Sequence, residues 1–239
     1  MKVSGILKFE VSKFNRKRKL AHILNQIQKH DSILDIGVMP IQEKSTNGTN
    51  YINEYFREMN RKIDALGLEN EDYSFFERYY SNCTLHTFDG MDFSILKKVY
   101  DVAISNAVIE HVGRRREQLQ WLEGIRGICH KLVITTPNRF FPVEAHTNVI
   151  FKHLISKKFK QRLLEEMQIN LFSLKEFIDI LEAAGYKILS VKKNRVLFLS
   201  LDFVIVCVPR NACPNSSKSG KKPREKAVQQ RIYPMLPGL

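Results

Sequence analysis

The sequence predicts an α/β fold: a doubly wound, mostly parallel seven-stranded sheet with a helical insert after the fifth strand. Three observations predict it. Short apolar runs rich in β-branched residues alternate with segments whose apolar residues recur at helical spacing, the pattern of a parallel sheet covered by helices on both faces. Two of these runs, Tyr100-Asp-Val-Ala-Ile-Ser-Asn106 and Lys131-Leu-Val-Ile-Thr-Thr136, have continuous apolar centres at Val102–Ile104 and Leu132–Ile134, as strands buried on both faces do. Both stop at polar residues, and an open α/β sheet binds ligands outside the carboxyl ends of its strands. Ser105, Asn106, Glu110, His111, Thr136 and Asn138 are therefore expected at one edge of one sheet, around a small molecule.

Each element has its own signal. Lys17–His30 places Leu20, Ile23, Leu24 and Ile27 on one helical face. Ser32–Gly37 is the first buried strand, Lys62–Glu69 the second through Ile63, Ala65, Leu66 and Leu68, and Thr84–Asp89 the third. The fourth and fifth, at 100–106 and 131–136, flank a helix over Arg115–Cys129 built on Leu119, Leu122, Ile125 and Ile128. A helix over Ser173–Ala184 has a Ser173/Glu176 capping box, Phe177, Ile180 and Leu181 on one face, and Gly185 as its stop. Tyr186–Lys192 and Val196–Val208 complete the sheet, the second expected antiparallel to its neighbour. Residues 145–172 interrupt the alternation as a helical insert.

Composition bounds the function. With 239 residues, 44% hydrophobic and 26% charged, the chain has the make-up of one ordinary soluble domain. No apolar run approaches the roughly 20 residues that span a bilayer, and the N-terminus lacks the apolar core of a secretory signal. Cys83, Cys129, Cys207 and Cys213 show neither pairing nor metal-ligand spacing, so no metal site is expected and the thiols suit the cytoplasm. The net charge of +13 sits mostly at the ends: seven Lys/Arg against Glu10 in residues 1–19, and seven against Glu225 in 210–239. The organisation expected is a basic segment at 1–19, a catalytic domain at 20–209 and a disordered basic tail at 210–239. Such tails are solubilising, or make weak contacts with anionic lipid or nucleic acid.

The order of these landmarks resembles the class I S-adenosylmethionine-dependent methyltransferases, in particular the methyltransferase type 11 group. Ser32-Ile-Leu-Asp-Ile-Gly37 is similar to the first-strand signature Leu-Asp-Ile-Gly-x-Gly-x-Gly, and Ser105-Asn-Ala-Val-Ile-Glu-His111 to the motif after the fourth strand. Thr136-Pro-Asn-Arg-Phe-Phe-Pro-Val-Glu-Ala-His-Thr147 resembles a more restricted branch. The resemblance covers residues 18–209 and implies a Rossmann-like methyltransferase fold with S-adenosylmethionine as cofactor. The first motif departs from the pattern, because Val38, Met39 and Pro40 stand where glycines would let the backbone pass close to a ligand.

The resemblance also assigns roles. Glu69 matches the acidic residue that takes the ribose hydroxyls, with Asp64 and Glu71 as competitors. Asp89 and Gly90 match the pair that meets the adenine amino group, Asp35 is expected to organise the loop through its amides, and Asn106 lies beneath the methionyl portion. His111 is the leading candidate for the base, its pKa suited to proton removal near neutrality; Glu144 and His146 are the other catalytic candidate pair, which beside Asn138 and Arg139 could hold a polar acceptor. The expected reaction is methyl transfer to an oxygen or nitrogen of a small-molecule acceptor such as a sugar, lipid-linked compound or secondary metabolite. Two alternatives remain at this level: an RNA methyltransferase that uses its basic ends on phosphates, and an inactive interaction protein on the same fold.

Overall fold

The computed structural model describes residues 5–41, 50–143, 149, 152–196 and 199–210. Glu144, His146 and nearly all of the expected tail lie outside these residues. The strands are β1 (Ile33–Ile36), β2 (Ile63–Leu68), β3 (Cys83–Phe88), β4 (Tyr100–Asn106), β5 (Cys129–Pro137), β6 (Tyr186–Val196) and β7 (Leu199–Pro209). They form one sheet in the order β3-β2-β1-β4-β5-β7-β6. Only β7 runs against its neighbours, pairing antiparallel with both β5 and β6. The chain winds outward from β1 to β3, then returns to lay β4 along the other side of β1. The strand order thus reverses between β1 and β4, the place where such sheets open a crevice at their carboxyl edge.

Alternate residues of the central strands feed two cores. On one face Leu34, Ile36, Ala103, Leu132, Ile134 and Ile205 pack against α4 (Arg115–Arg126) through Trp121, Leu122 and Ile125, and against α7 (Leu174–Ala183) through Phe177, Ile180 and Leu181. On the other face Ile33, Val102, Ile104, Val133 and Val204 meet α1 (Gly5–Leu24) and α2 (Tyr51–Glu58). A smaller cluster joins Val38 and Ala65 to α3 (Ser74–Tyr79) through Phe76 and the adjoining Tyr73 and Tyr80. Covering both faces is what a parallel sheet requires. The capping box starts α7 as expected: Ser173 N–H donates to Glu176 Oε2 at 2.8 Å, and Ser173 Oγ accepts from Glu176 N–H at 3.3 Å.

Several boundaries differ from the sequence reading: β6 runs on past Lys192 to Val196, so that β7 begins at Leu199 and not at Val196. The first helix spans Gly5–Leu24 rather than beginning at Lys17 and reaching His30; residues 6–24 contain neither Pro nor Gly, so nothing local stops it. Its last apolar position, Ile27, is still buried, but in the turn after the helix. The helix after β4 ends at Arg126, and Ile128 and Cys129 belong to the approach to β5. The short helices α2 and α3 were not expected, because at 8 and 6 residues they are shorter than the stretch over which a helical period can be read. The insert carries two helices among its described residues, α5 (Lys152–Ile155) and α6 (Lys157–Glu165), and is not helical from Glu166 to Phe172. Phe159, Leu163 and Ile169 form its own small core.

The helix α1 crosses residue 19 without a break, and its second half belongs to the body of the molecule. Lys19 Nζ lies 3.2 Å from Asp202 Oδ2 with both side chains buried, and Asn15 Nδ2 donates to the same oxygen at 2.7 Å. Asn194 Nδ2 donates in turn to Asn15 O at 3.1 Å. Burial opposes the Lys19 charge, but the Asp202 carboxylate outweighs it and holds the ammonium above its ordinary range. Asp202 pairs with Pro137 across β5 and β7, so this cluster pins α1 to the carboxyl edge of the sheet. Lys19→Met would leave the buried Asp202 carboxylate without its cation and is expected to cost about 3 kcal/mol of stability, read as a lower urea midpoint.

Candidate functional site at the carboxyl edge of the sheet

The crevice is shaped by a contact between the ends of β1 and β4. Gly37 follows β1 with φ +86°, and a Cβ there would stand 2.3 Å from Val108 Cγ2. Only glycine meets both conditions. On the other side Ala107 takes φ +57°, and its N–H reaches Thr135 O and Thr135 Oγ1, each at 3.1 Å. These two left-handed residues turn the chain away from the sheet edge on adjacent strands.

The loop after Gly37 is closed by its own surroundings. Gly37 and Val38 N–H both donate to Leu66 O, at 2.8 and 3.2 Å. Met39 N–H donates to Asn50 Oδ1 at 3.1 Å, while Asn50 Nδ2 donates to Met39 O at 2.7 Å. Tyr73 OH donates to Val38 O at 3.1 Å. Val38 is buried and Met39 is half exposed. Side chains from Asn50 and Tyr73 thus hold the path that glycines permit elsewhere. Asp35, expected to organise this loop through its amides, has no backbone amide bonded to its side chain among the described residues. It is buried beneath the loop, where burial pushes its carboxyl up to about 8 against the opposing hydrogen bond from Asn53.

The other expected residues fall along the same edge. Glu69 is exposed directly after β2, its N–H bonded to Phe88 O at 2.9 Å. Its competitor Asp64 is already held by Tyr100 OH at 2.6 Å, Lys98 at 3.0 Å and His86 at 3.2 Å. Asp89 follows β3 and accepts from Met91 and Asp92 N–H through Oδ1, at 2.8 and 2.7 Å. Those amides hold its carboxyl below the ordinary range, and Gly90 turns with φ +97°. At the end of β4, Asn106 Oδ1 accepts from Tyr51 OH at 3.0 Å and Thr135 Oγ1 at 2.9 Å.

Further along, the site becomes the meeting place of β4, β5 and the insert. A 3₁₀ turn at Ile109–His111 exposes His111 and buries Glu110. Thr136 Oγ1 donates to Glu110 Oε2 at 3.1 Å, and Asn170 N–H, at the end of the insert, donates to Glu110 O at 2.7 Å. Asn138 is spent on structure: its Nδ2 donates to Ser200 O at 2.8 Å and its Oδ1 accepts from Phe140 N–H at 3.1 Å. Arg139 forms an ion pair with Glu176. The edge therefore carries the exposed carboxylates of Glu69 and Asp89, with Glu71 and Asp92 close by in sequence, beside the amide of Asn106 and the imidazole of His111. That donor and acceptor set fits an adenosine with an amino-acid side arm: carboxylates for hydroxyl and amine donors, an amide for the polar arm. Sequence reading missed Tyr51, Thr135 and Asn50, whose local patterns are unremarkable and whose partners are distant along the chain.

Comparison with solved structures adds the fold's identity. The chain superposes on the glycopeptide N-methyltransferase MtfA with a TM-score of 0.57 at 10% identity, covering 82% of this chain and 90% of that one. Magnesium protoporphyrin IX methyltransferase from Synechocystis PCC 6803, solved with bound S-adenosylhomocysteine, gives 0.55 at 12% identity, covering 87% and 89%. The fold is that of the class I methyltransferases. The 1,6-didemethyltoxoflavin-N1-methyltransferase of Burkholderia thailandensis, solved with its acceptor and S-adenosylhomocysteine, also gives 0.55 at 12%, covering 82% and 78%. No family model matches the sequence, and no curated protein matches it. In this methyltransferase-fold chain the loop after β1 is held by the side chains of Asn50 and Tyr73. Among the described residues no helix is long and apolar enough to cross a membrane, and no cluster of His, Cys, Asp or Glu could hold a metal ion.

Asp35 makes the site's stability pH-dependent. The folded chain keeps a proton that an unfolded aspartate releases above about pH 4, so stability declines from there to about pH 8 and levels off beyond it. Thermal melts of Asp35→Asn should show a flatter pH dependence, with its advantage over the wild type growing from pH 5 to pH 8.

Proposed function

We propose that the chain is an S-adenosylmethionine-dependent methyltransferase acting on an oxygen or nitrogen nucleophile of a small-molecule acceptor. The observation that carries this reading is the alignment of Glu69, Asp89 and Asn106 along the carboxyl ends of β2, β3 and β4, around the Gly37 switch point. The neighbours in fold support it, since their solved forms include complexes with S-adenosylmethionine and S-adenosylhomocysteine. Their names include a glycopeptide and a protoporphyrin methyltransferase, which favours a compact acceptor of the sugar, lipid-linked or secondary-metabolite kind over a nucleic acid.

In this reading Glu69 accepts from the ribose hydroxyls and the free oxygen of Asp89 from the adenine amino group. The cofactor supplies a methyl group already activated on a sulfonium, so alignment of the acceptor and exclusion of water supply most of the rate. His111, exposed at the end of the 3₁₀ turn, takes the acceptor's proton at a ring nitrogen. Glu144 and His146 recognise the acceptor's polar groups from the start of the insert.

Calorimetric titration with S-adenosylhomocysteine should give a dissociation constant near 1 μM, about −8 kcal/mol, and the bound protein should melt at a higher temperature. Absence of both heat and melting shift at millimolar ligand would refute the reading. Replacing His111 by Ala should spare cofactor affinity while lowering turnover about 10²–10⁴-fold. A pH–rate profile identical to the wild type would remove His111 as the base and leave positioning alone.

A further inference from the structure

The outer face of α1 is not wholly polar. Asn15, Lys19, Leu20 and Ile23 are buried, while Phe14, Lys17, Arg18 and Ala21 recur three and four residues apart on the accessible side. Phe14 is more than half exposed there, and the Arg18 guanidinium lies over its ring at 5.5 Å. A single exposed phenyl ring calls for no explanation. This one belongs to a larger surface. Arg18 Nη1 donates to Arg195 O at 2.9 Å, which joins this face of α1 to the β6–β7 hairpin. There Arg195 pairs with Ser200 and Val196 with Leu199, and Leu199 is half exposed.

The charge on this surface has one sign. Lys192, Lys193 and Arg195 are exposed on β6, and residues 13–24 and 186–200 contain no Asp or Glu. The carboxylate of β7, Asp202, is already paired with Lys19. Partly buried His22 on α1 is pushed down by its burial and by the charges of Lys192 and Arg18, so cations of the two elements share one field. Lys193 and Ser200 carry the surface on to an open, largely apolar cavity of about 380 Å³, with Phe140, Leu174 and Phe203 in its walls. All of this stands at the carboxyl edge of the sheet. The last β5–β7 pair is Pro137–Asp202, and the chain from Leu199 to Leu201 continues past it, where Ser200 O and Leu201 O both accept from Asn138.

We infer that this surface, with Phe14 and Leu199 as its apolar points and Arg18, Lys192, Lys193 and Arg195 around them, docks on an anionic lipid bilayer. Cations are drawn to the anionic headgroups, and exposed apolar side chains gain by entering the boundary between headgroups and acyl chains. Long Lys and Arg side chains keep their charges among the headgroups while their apolar neighbours go deeper. A nucleic acid is the other polyanion such a surface could meet, and two features disfavour it. Leu199 offers no ring on which a base could stack, and Arg18 already lies over the ring of Phe14. The inference goes beyond the cofactor reading and does not depend on it. Docking here brings the carboxyl edge, and with it the candidate site, to the membrane surface.

The test is co-sedimentation of the full chain with vesicles of phosphatidylcholine alone and of equal parts phosphatidylcholine and phosphatidylglycerol. Binding is expected to the mixed vesicles and not to the neutral ones. Lys192→Gln combined with Lys193→Gln should weaken partitioning about 30-fold, on the order of fivefold for each cation. Leu199→Asn leaves the charge unchanged and should still weaken it about tenfold, by removing apolar surface from the contact. Melting temperatures close to the wild type show that neither loss comes from unfolding; should Leu199→Asn melt early, Phe14→Ser carries the same test. Unchanged partitioning in the double variant would place the contact in the tails and overturn the inference, as would equal binding to neutral vesicles. It also fails if the apolar variant partitions like the wild type, or if the wild type prefers single-stranded RNA to the mixed vesicles at the same salt.

Discussion

The close approach of β1 and β4 is the constraint on which the rest of the molecule depends. Their backbones pair in register from Ile33–Val102 to Ile36–Ser105, and the chains leave the sheet through Gly37 and Ala107, both with positive φ. Val108 fills the space where a Gly37 side chain would be. Because β2 and β3 lie outward of β1, and β5 outward of β4, every polar residue of the candidate site is placed relative to this seam. A change in β1–β4 register would move Asn106 away from Tyr51 and Thr135 and separate the two halves of the crevice.

The loop beyond Gly37 shows how the seam is kept without the usual glycines. Asn50 acts as a detached piece of backbone, bonding the amide and carbonyl of Met39 much as a neighbouring strand would. Tyr73 bonds the carbonyl of Val38 and also receives the N–H of Leu68, joining the loops after β1 and β2. Beneath them Asp35 is buried against Asn53 in a pocket that favours its neutral form. A polar layer under the crevice floor is costly unless its members satisfy one another, which makes this region a coupled unit rather than a set of independent side chains.

The basic N-terminal helix has a double character. Arg16, Lys17 and Arg18 remain partly accessible, with Arg18 stacked 5.5 Å from the exposed Phe14 ring, whereas Lys19 turns inward to Asp202. Lys19 is thus buried in the structure, while Arg18 reaches Arg195 O at 2.9 Å from a partly accessible position. Because Asp202 sits level with the end of β5, the helix reaches the carboxyl edge of the sheet.

What the sequence determined is the set of strands, their mostly parallel arrangement and the edge at which polar residues collect. Continuous apolar runs such as Val102–Ile104 and Val133–Ile134 report burial on both faces directly, and the Ser173/Glu176 box marks a helix start through bonds only three residues apart. Where a position depends on local bonding or on the end of a strand, as for Gly37, Asp89 and Glu69, the chain itself carries the signal. Tertiary structure alone decided the rest. The orientation of Asn106 depends on Tyr51 and Thr135, 55 and 29 residues away, and Lys19 differs from Lys17 only through a carboxylate that β7 brings beside it. A hydrogen bond or ion pair between distant segments leaves no periodicity behind, because its energy comes from burial that exists only once the sheet has closed around it.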